Sequence, residues 1–190
     1  MRAIVTGAAS GIGRATAGKL LEDARRRDGS TCALLLADID GASLGTVVDE
    51  IRALGGEAHA FVGDLADPAV PQKAVEAARD ALGGLDALIS NAGIISRASL
   101  LDLALDDYEK TFAVNTRATW LLAKAAYPML AQSRGSIVAT ASIAGHEPTP
   151  ALGAYSMSKA ALLMLVRQIA CDWGPVGIRC NSVSPGSTET

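Results

Sequence analysis

Tyr155 and Lys159 stand one helical turn apart in Tyr155-Ser156-Met157-Ser158-Lys159, with Ser142 upstream in Thr140-Ala141-Ser142. Positions i and i+4 share a helix face, so this spacing sets a phenol beside an ammonium. A free tyrosine titrates near ~10, too high for a good general base at neutral pH. A nearby positive charge favours the phenolate and lowers that value. A serine hydroxyl arriving from a strand end can hold the oxygen that gains or loses the proton. Together the residues describe proton transfer to or from an alcohol or a carbonyl. Tyr-x-x-x-Lys arises by chance in many helices, so its weight depends on what stands at the other end of the chain.

There, Thr6-Gly7-Ala8-Ala9-Ser10-Gly11-Ile12-Gly13 joins an apolar run to an amphipathic one. Gly7, Gly11 and Gly13 let the backbone turn tightly and approach a ligand closely. Ser10 and Ile12 complete the loop, and the helix N-terminus behind it offers free N–H groups to a pyrophosphate. Asp38 closes the second apolar run, Leu34-Leu35-Leu36-Ala37-Asp38. A carboxylate at that point binds adenosine ribose hydroxyls and repels a 2′-phosphate. Ile39 and Asp40 follow it, and Ser10 fills the slot where a basic residue would meet the phosphate. NAD is the expected cofactor, with Arg14 as the feature that leaves room for NADP.

These residues need a scaffold, and the pattern supplies one. Short apolar runs at Ala3–Thr6, Ala33–Ala37, Ala58–Val62, Ala87–Ile89, Ser136–Thr140 and Arg179–Val183 read as strands. Longer amphipathic runs near Ile12–Arg26, Ser43–Leu54, Ala69–Ala81, Tyr108–Ala131 and Tyr155–Trp173 read as helices. Strands alternating with helices predict crossover units and a parallel sheet. Strands that are apolar throughout predict helices on both sheet faces. The fold class is therefore α/β, a single doubly wound domain of the Rossmann type. The last two helices are apolar nearly all round, which predicts a second cover beyond the sheet, most simply another subunit.

The chain of 190 residues is 49% hydrophobic and 19% charged, enough to bury one core. A net charge of −3 gives no reason to expect nucleic acid as a partner. No apolar run reaches the ~18 residues that span a bilayer, and the first strand begins too early for a signal peptide. The cysteines Cys32, Cys171 and Cys180 have no metal spacing and read as reduced thiols, so no metal is expected and a cytoplasmic location is. Arg25-Arg26-Arg27 reads as a solvated helix end, where cations meet the negative dipole. His59 reads as a strand residue, and His146 lies in the loop between Ser142 and Tyr155.

In this order the motifs resemble the classical short-chain dehydrogenase/reductase family over essentially the whole sequence. The resemblance extends to residues that spacing alone leaves open. Asp64 and Leu65, in Gly63-Asp64-Leu65, are similar to its adenine-contacting pair, and Asn91-Ala92-Gly93 to the motif closing the fourth strand. Asn115 resembles the helix asparagine of a catalytic tetrad whose other members match Ser142, Tyr155 and Lys159. Pro185-Gly186 with Thr188 and Thr190 resembles the segment that meets the nicotinamide carboxamide. Tyr155 and Lys159 also touch cofactor in that family. The resemblance implies an NAD-dependent oxidoreductase of a secondary alcohol or ketone, working as a dimer or tetramer. It assigns Tyr155 the general acid/base role and Lys159 the ribose hydroxyls and a lowered tyrosine pKa. Ser142 orients the substrate oxygen, and Asn115 supports a water-mediated relay. An NADPH-dependent 3-oxoacyl reductase is the alternative within the class, and Asp38 argues against it. Outside the class stand a non-catalytic nucleotide-binding redox sensor and a structural subunit.

Two departures from the family pattern are visible. The stretch from Gly13 to Asp38 is several residues longer than usual, with the excess near Arg25–Ser30. The sequence also ends at Thr190, before the family's substrate lid and last strand, and so is expected to be part of a longer protein that binds NAD weakly without them.

Overall fold

The computed structural model describes residues 1–29 and 31–188. Among the described residues, six strands form one parallel sheet: β1 (Arg2–Thr6), β2 (Ala33–Asp38), β3 (Glu57–Val62), β4 (Ala87–Ser90), β5 (Ser136–Thr140) and β6 (Arg179–Val183). Their order is β3-β2-β1-β4-β5-β6. The chain winds outward from β1 in one direction, then returns and winds in the other. A crevice therefore opens between β1 and β4, above the C-terminal strand ends.

Two layers of helix cover the sheet. On one face α1 (Gly11–Asp28) and α2 (Gly41–Ala53) bury Leu21, Leu44, Val47 and Ile51 against Ala3, Val5, Leu34 and Leu36. On the other, α3 (Val70–Leu82), α5 (Ala118–Ser133) and α6 (Gly153–Trp173) bury Ala74, Leu122, Leu130, Leu162 and Val166 against Ile4, Leu35, Leu88 and Ile137. Alternate strand residues thus serve opposite cores, which is why β1, β2 and β4 read as apolar runs. β5 and β6 depart from that expectation. Ile137, Ala139 and Cys180 are buried, while Ser136, Val138 and Asn181 are not. The reason is the reach of α1 and α2, which cover the β1 side of the sheet only.

Local chemistry sets the helix ends. Asp40 caps α2, its Oδ1 accepting from the N–H groups of Ala42 and Ser43 at 3.1 Å. Gly29 ends α1 at φ 70° and donates to the Arg25 carbonyl at 3.0 Å, a left-handed cap that glycine adopts without strain. The basic run is exposed at the end of α1, as expected. Arg26 pairs with Glu22 at 2.5 Å, and Arg25 donates to the Leu54 carbonyl. Ser30, the end of the longer stretch, lies outside the described residues.

The predicted helix Tyr108–Ala131 is not one regular helix. It is α4 (Leu105–Phe112), a π turn at Ala113–Arg117, and then α5. Among the described residues, no helix is long and apolar enough to cross a membrane, and the cysteines are free.

Candidate active site

A cleft of about 730 Å³ runs along the C-terminal strand ends. Gly7, Ser10, Gly11 and Ile12 line one end with Asp38, Asp64 and Leu65. Asn91, Ala92 and Gly93 line its floor. Ser142, Tyr155, Lys159, Pro185, Gly186 and Thr188 stand at the other end. The sequence thus placed its candidates in one place, with three exceptions. Gly13 does not face the cleft: a Cβ there would stand 2.0 Å from the Gly7 carbonyl oxygen, so this glycine lets α1 seat against the loop. Asn115 lies behind the wall, 1% exposed. Thr190 lies outside the described residues.

The glycine loop is a turn with open donors. Gly7 and Gly11 have φ of 64° and 51°, the region that side chains disfavour. Ser10 is the N-cap of α1 but makes no side-chain cap bond, so the first-turn N–H groups stay free to meet an anion. At the end of β2, Asp38 accepts from Ala9 N at 2.9 Å through Oδ2 and from Asp40 N at 3.1 Å through Oδ1. Each oxygen keeps a lone pair for another donor. Arg14 is engaged elsewhere, gripping Glu50 of α2 with contacts of 2.5 and 3.1 Å.

Asn91 stitches three strand ends. Its amide nitrogen donates to the carbonyls of Thr6 at 3.2 Å and Gly7 at 3.3 Å, and its Oδ1 accepts from Thr140 Oγ1 at 3.0 Å. Thr6, fully buried, accepts from the N–H groups of Asn91 and Ala92, both at 3.0 Å. β1, β4 and β5 are thereby held at a fixed separation beneath the cleft. Sequence reading passed over Thr6 and Thr140 as site supports, though a threonine ending a strand beside a glycine loop is a usable signal.

At the far end Lys159 is 3% exposed, and burial lowers its pKa from 10.5 to about 8. Its ammonium donates to the Thr140 carbonyl at 2.7 Å and lies 5.7 Å from the Tyr155 ring centre. Gly93 lies close beneath both groups: a Cβ there would stand 3.3 Å from Lys159 Nζ and 3.2 Å from Asn115 Oδ1, so a larger residue would press on them. The Asn115 amide is fully engaged. Oδ1 accepts from Ile94 N at 2.8 Å, and Nδ2 donates to the Ile94 carbonyl and to Ser158 Oγ, each at 2.9 Å. It therefore ties the loop that follows β4 to the residue preceding Lys159. The π turn makes this possible by swinging Asn115 inward. Ser142 caps a short 3-10 turn (Ile143–Gly145), its Oγ accepting from Ala144 N at 3.2 Å. His146 is exposed and meets Ser184 Oγ at 3.0 Å, and His59 on β3 meets Glu57 at 2.9 Å, so neither is directed into the cleft. Ile94 and Ile95, expected from the sequence to border the substrate pocket, line the cleft, and so do Ile39, Lys110 and Val114, which were not anticipated.

Comparison with known proteins agrees with this geometry. The family model for short chain dehydrogenases matches residues 1–190. L-rhamnose 1-dehydrogenase (NAD(P)(+)) from Sphingomonas sp. is 38% identical over 189 residues, covering 98% of this chain and 72% of the relative. A short chain dehydrogenase from Burkholderia cenocepacia, solved with NADP, superposes with a TM-score of 0.91 at 40% identity, covering 100% of this chain and 75% of that one. A short chain dehydrogenase/reductase from Burkholderia phymatum, solved with NAD, gives a TM-score of 0.89 at 31% identity, covering 97% and 64%. The chain spans roughly two thirds to three quarters of the length of these relatives. It belongs to the short chain dehydrogenase family of oxidoreductases.

Proposed function

We propose that the protein moves a hydride between NAD and a secondary alcohol or its ketone, with Tyr155 as general acid or base. The observation that carries this reading is the shared cleft, with Ser142, Tyr155 and Lys159 at one end and Asp38 with the uncapped α1 terminus at the other. A nicotinamide dinucleotide bound along it supplies or accepts the hydride. The chain's own residues fit such a group. The open N–H groups of α1 take the pyrophosphate, Asp38 takes the ribose hydroxyls, and Asp64 with Leu65 borders the adenine. Asn91, Ala92 and Gly93 form the floor, and Pro185, Gly186 and Thr188 border the carboxamide.

Tyr155 gives its proton to a carbonyl oxygen or takes one from a hydroxyl. Ser142 Oγ already accepts the Ala144 N–H, so its own proton is free to be donated to the substrate oxygen. Lys159 spends one donor on the Thr140 carbonyl and has two left for ribose hydroxyls. With a pKa of about 8 it can pass a proton at near-neutral pH. Asn115 shares the space over Gly93 with that ammonium and supports the relay behind it.

NAD is preferred in this reading because Asp38 would face a 2′-phosphate across the cleft and Arg14 is held by Glu50. The relatives solved with NADP and with NAD make this the sharpest test. Initial rates with both cofactors should be measured over aliphatic, cyclic, sugar and steroid alcohols, for wild type and Tyr155→Phe. Turnover with a higher kcat/KM for NAD, lost in the variant while cofactor still binds, is the expected result. Turnover by Tyr155→Phe near the wild-type rate overturns the proton role, and a clear NADP advantage overturns the cofactor assignment. Cofactor binding without turnover on any substrate would favour a sensor. A self-paired assembly is also proposed. Tyr108, Phe112, Trp120 and Leu165 line an open groove, with Trp120 45% exposed, and a symmetric partner would bury it. Light scattering of the full-length protein showing a stable monomer at micromolar concentration would refute this.

A further inference from the structure

The turn that carries Ser142 is fastened on three sides. The β5–β6 ladder continues past the strand ends, with Ala141 N donating to the Val183 carbonyl at 2.8 Å and Ile143 N to the Pro185 carbonyl at 3.1 Å. The two residues flanking Ser142 are thus tied to the segment entering Pro185-Gly186. Beneath, Gly145 lies flat on α6, where a Cβ would stand 2.8 Å from the Lys159 carbonyl carbon and 3.0 Å from its oxygen. On the third side His146 Nε2 meets Ser184 Oγ at 3.0 Å. The first fastening is backbone to backbone, which any residues could make. The last depends on two particular side chains, one just after the Ser142 turn and one just before Pro185.

We propose that His146 is a positioning residue. By holding Ser184 it fixes the Ser142 turn against Pro185-Gly186, and so sets the separation between the proton-handling hydroxyls and the nicotinamide. This rests on the oxidoreductase reading above. His146 does not line the cleft and touches neither reactant there. Either ring tautomer serves, because a hydroxyl can donate to Nε2 or accept from it. Without this tie the turn keeps its backbone bonds and loses its lateral anchor. The reacting groups then spend less time in line, which lowers kcat and leaves cofactor affinity almost unchanged.

The test uses the full-length protein and four variants: His146→Ala, Ser184→Ala, the double variant and His146→Gln. Each single alanine variant should lower kcat about three- to tenfold, the range expected for one hydrogen bond. Cofactor Kd should stay within about twofold. The double variant should be no slower than the singles, since both remove one bond. His146→Gln, whose amide can still reach a hydroxyl, should recover part of the loss. Amide exchange of residues 143–147, followed by mass spectrometry without substrate, should quicken in both singles while Tm holds. Singles within twofold of wild type, or losses that multiply in the double variant, overturn the proposal. A wild type that turns over no alcohol or ketone refutes the oxidoreductase reading and the positioning role with it. Unchanged exchange in the singles refutes the tie on its own.

Discussion

Replacing Lys159 by Met should stabilise the cofactor-free protein at neutral pH, although the residue stands in the candidate active site. Its ammonium is buried, 3% exposed, and burial draws its pKa from 10.5 to about 8. One pKa unit corresponds to about 1.4 kcal/mol, so keeping the charge at pH 7 costs the folded state about 3 kcal/mol. Met fills the same space without charge but leaves the Thr140 carbonyl without its donor, a loss of about 1–2 kcal/mol. The net gain is then about 1–2 kcal/mol, which raises Tm by about 2–8 °C for a chain of this size. The pH dependence has a definite sign, because the folded pKa lies below the unfolded one. Below pH 8 both states hold the proton and the penalty is constant. Between pH 8 and 10.5 the unfolded chain holds more protons, so wild-type stability rises with pH and the advantage of Met shrinks. Urea unfolding from pH 7 to 10.5 reads this difference, with Tyr155→Phe in both proteins so that the phenol does not titrate. A Met variant less stable than its parent at pH 7, or a difference flat across that window, would refute the reasoning.

Gly13→Ala should cost at least about 3 kcal/mol, because its Cβ would stand 2.0 Å from the Gly7 oxygen; thermal unfolding measures it, and a near-neutral result would mean the loop yields freely. Asp38→Asn should raise the NADP-to-NAD ratio of kcat/KM by at least about tenfold, as the like-charge repulsion is removed; an unchanged ratio would place the selectivity elsewhere. Asn115→Ala should lower stability by about 2–3 kcal/mol, since it removes the partner of both Ile94 backbone groups and one of the two bonds at Ser158 Oγ, which keeps its bond to the Tyr155 carbonyl, and turnover should fall with it. Denaturant unfolding showing a loss below about 1 kcal/mol would mean that water replaces the amide.

The parts of this protein legible in its sequence are those where one residue type has one physical use. Gly7 and Gly11 announce a turn with positive φ, Asp38 ends an apolar run, and Tyr155 with Lys159 falls on one helix face. Parallel strands between two helix layers follow from apolar runs such as Leu34-Leu35-Leu36. The rest was hidden because it depends on the backbone or on partners far along the chain. The Thr140 carbonyl that receives Lys159 is a group every residue has. Thr6 gains its role only when β4 arrives beside β1, bringing the N–H groups of Asn91 and Ala92. Gly13 looked like its loop companions, yet what it accommodates is the Gly7 backbone. The open faces of β5 and β6 depend on how far α1 and α2 extend, which periodicity does not report.

The π turn at Ala113–Arg117 gives this chain one place where a residue can be lost without putting its helices out of phase. A π turn holds one residue more than the α-helix it interrupts. Deleting a single codon between Phe112 and Ala118 would let the segment close into regular helix, with α4 and α5 keeping their relative rotation. The same deletion early in α5 has no such slack, because each helical residue turns the chain by about 100°. It would swing Leu122, Ala126 and Leu130 away from the core. What a deletion in the π turn removes is the placement of Asn115 and its bonds to Ile94 and Ser158. In a library of random deletions, the fold should therefore survive the loss of a residue from this five-residue stretch more often than a loss from α5.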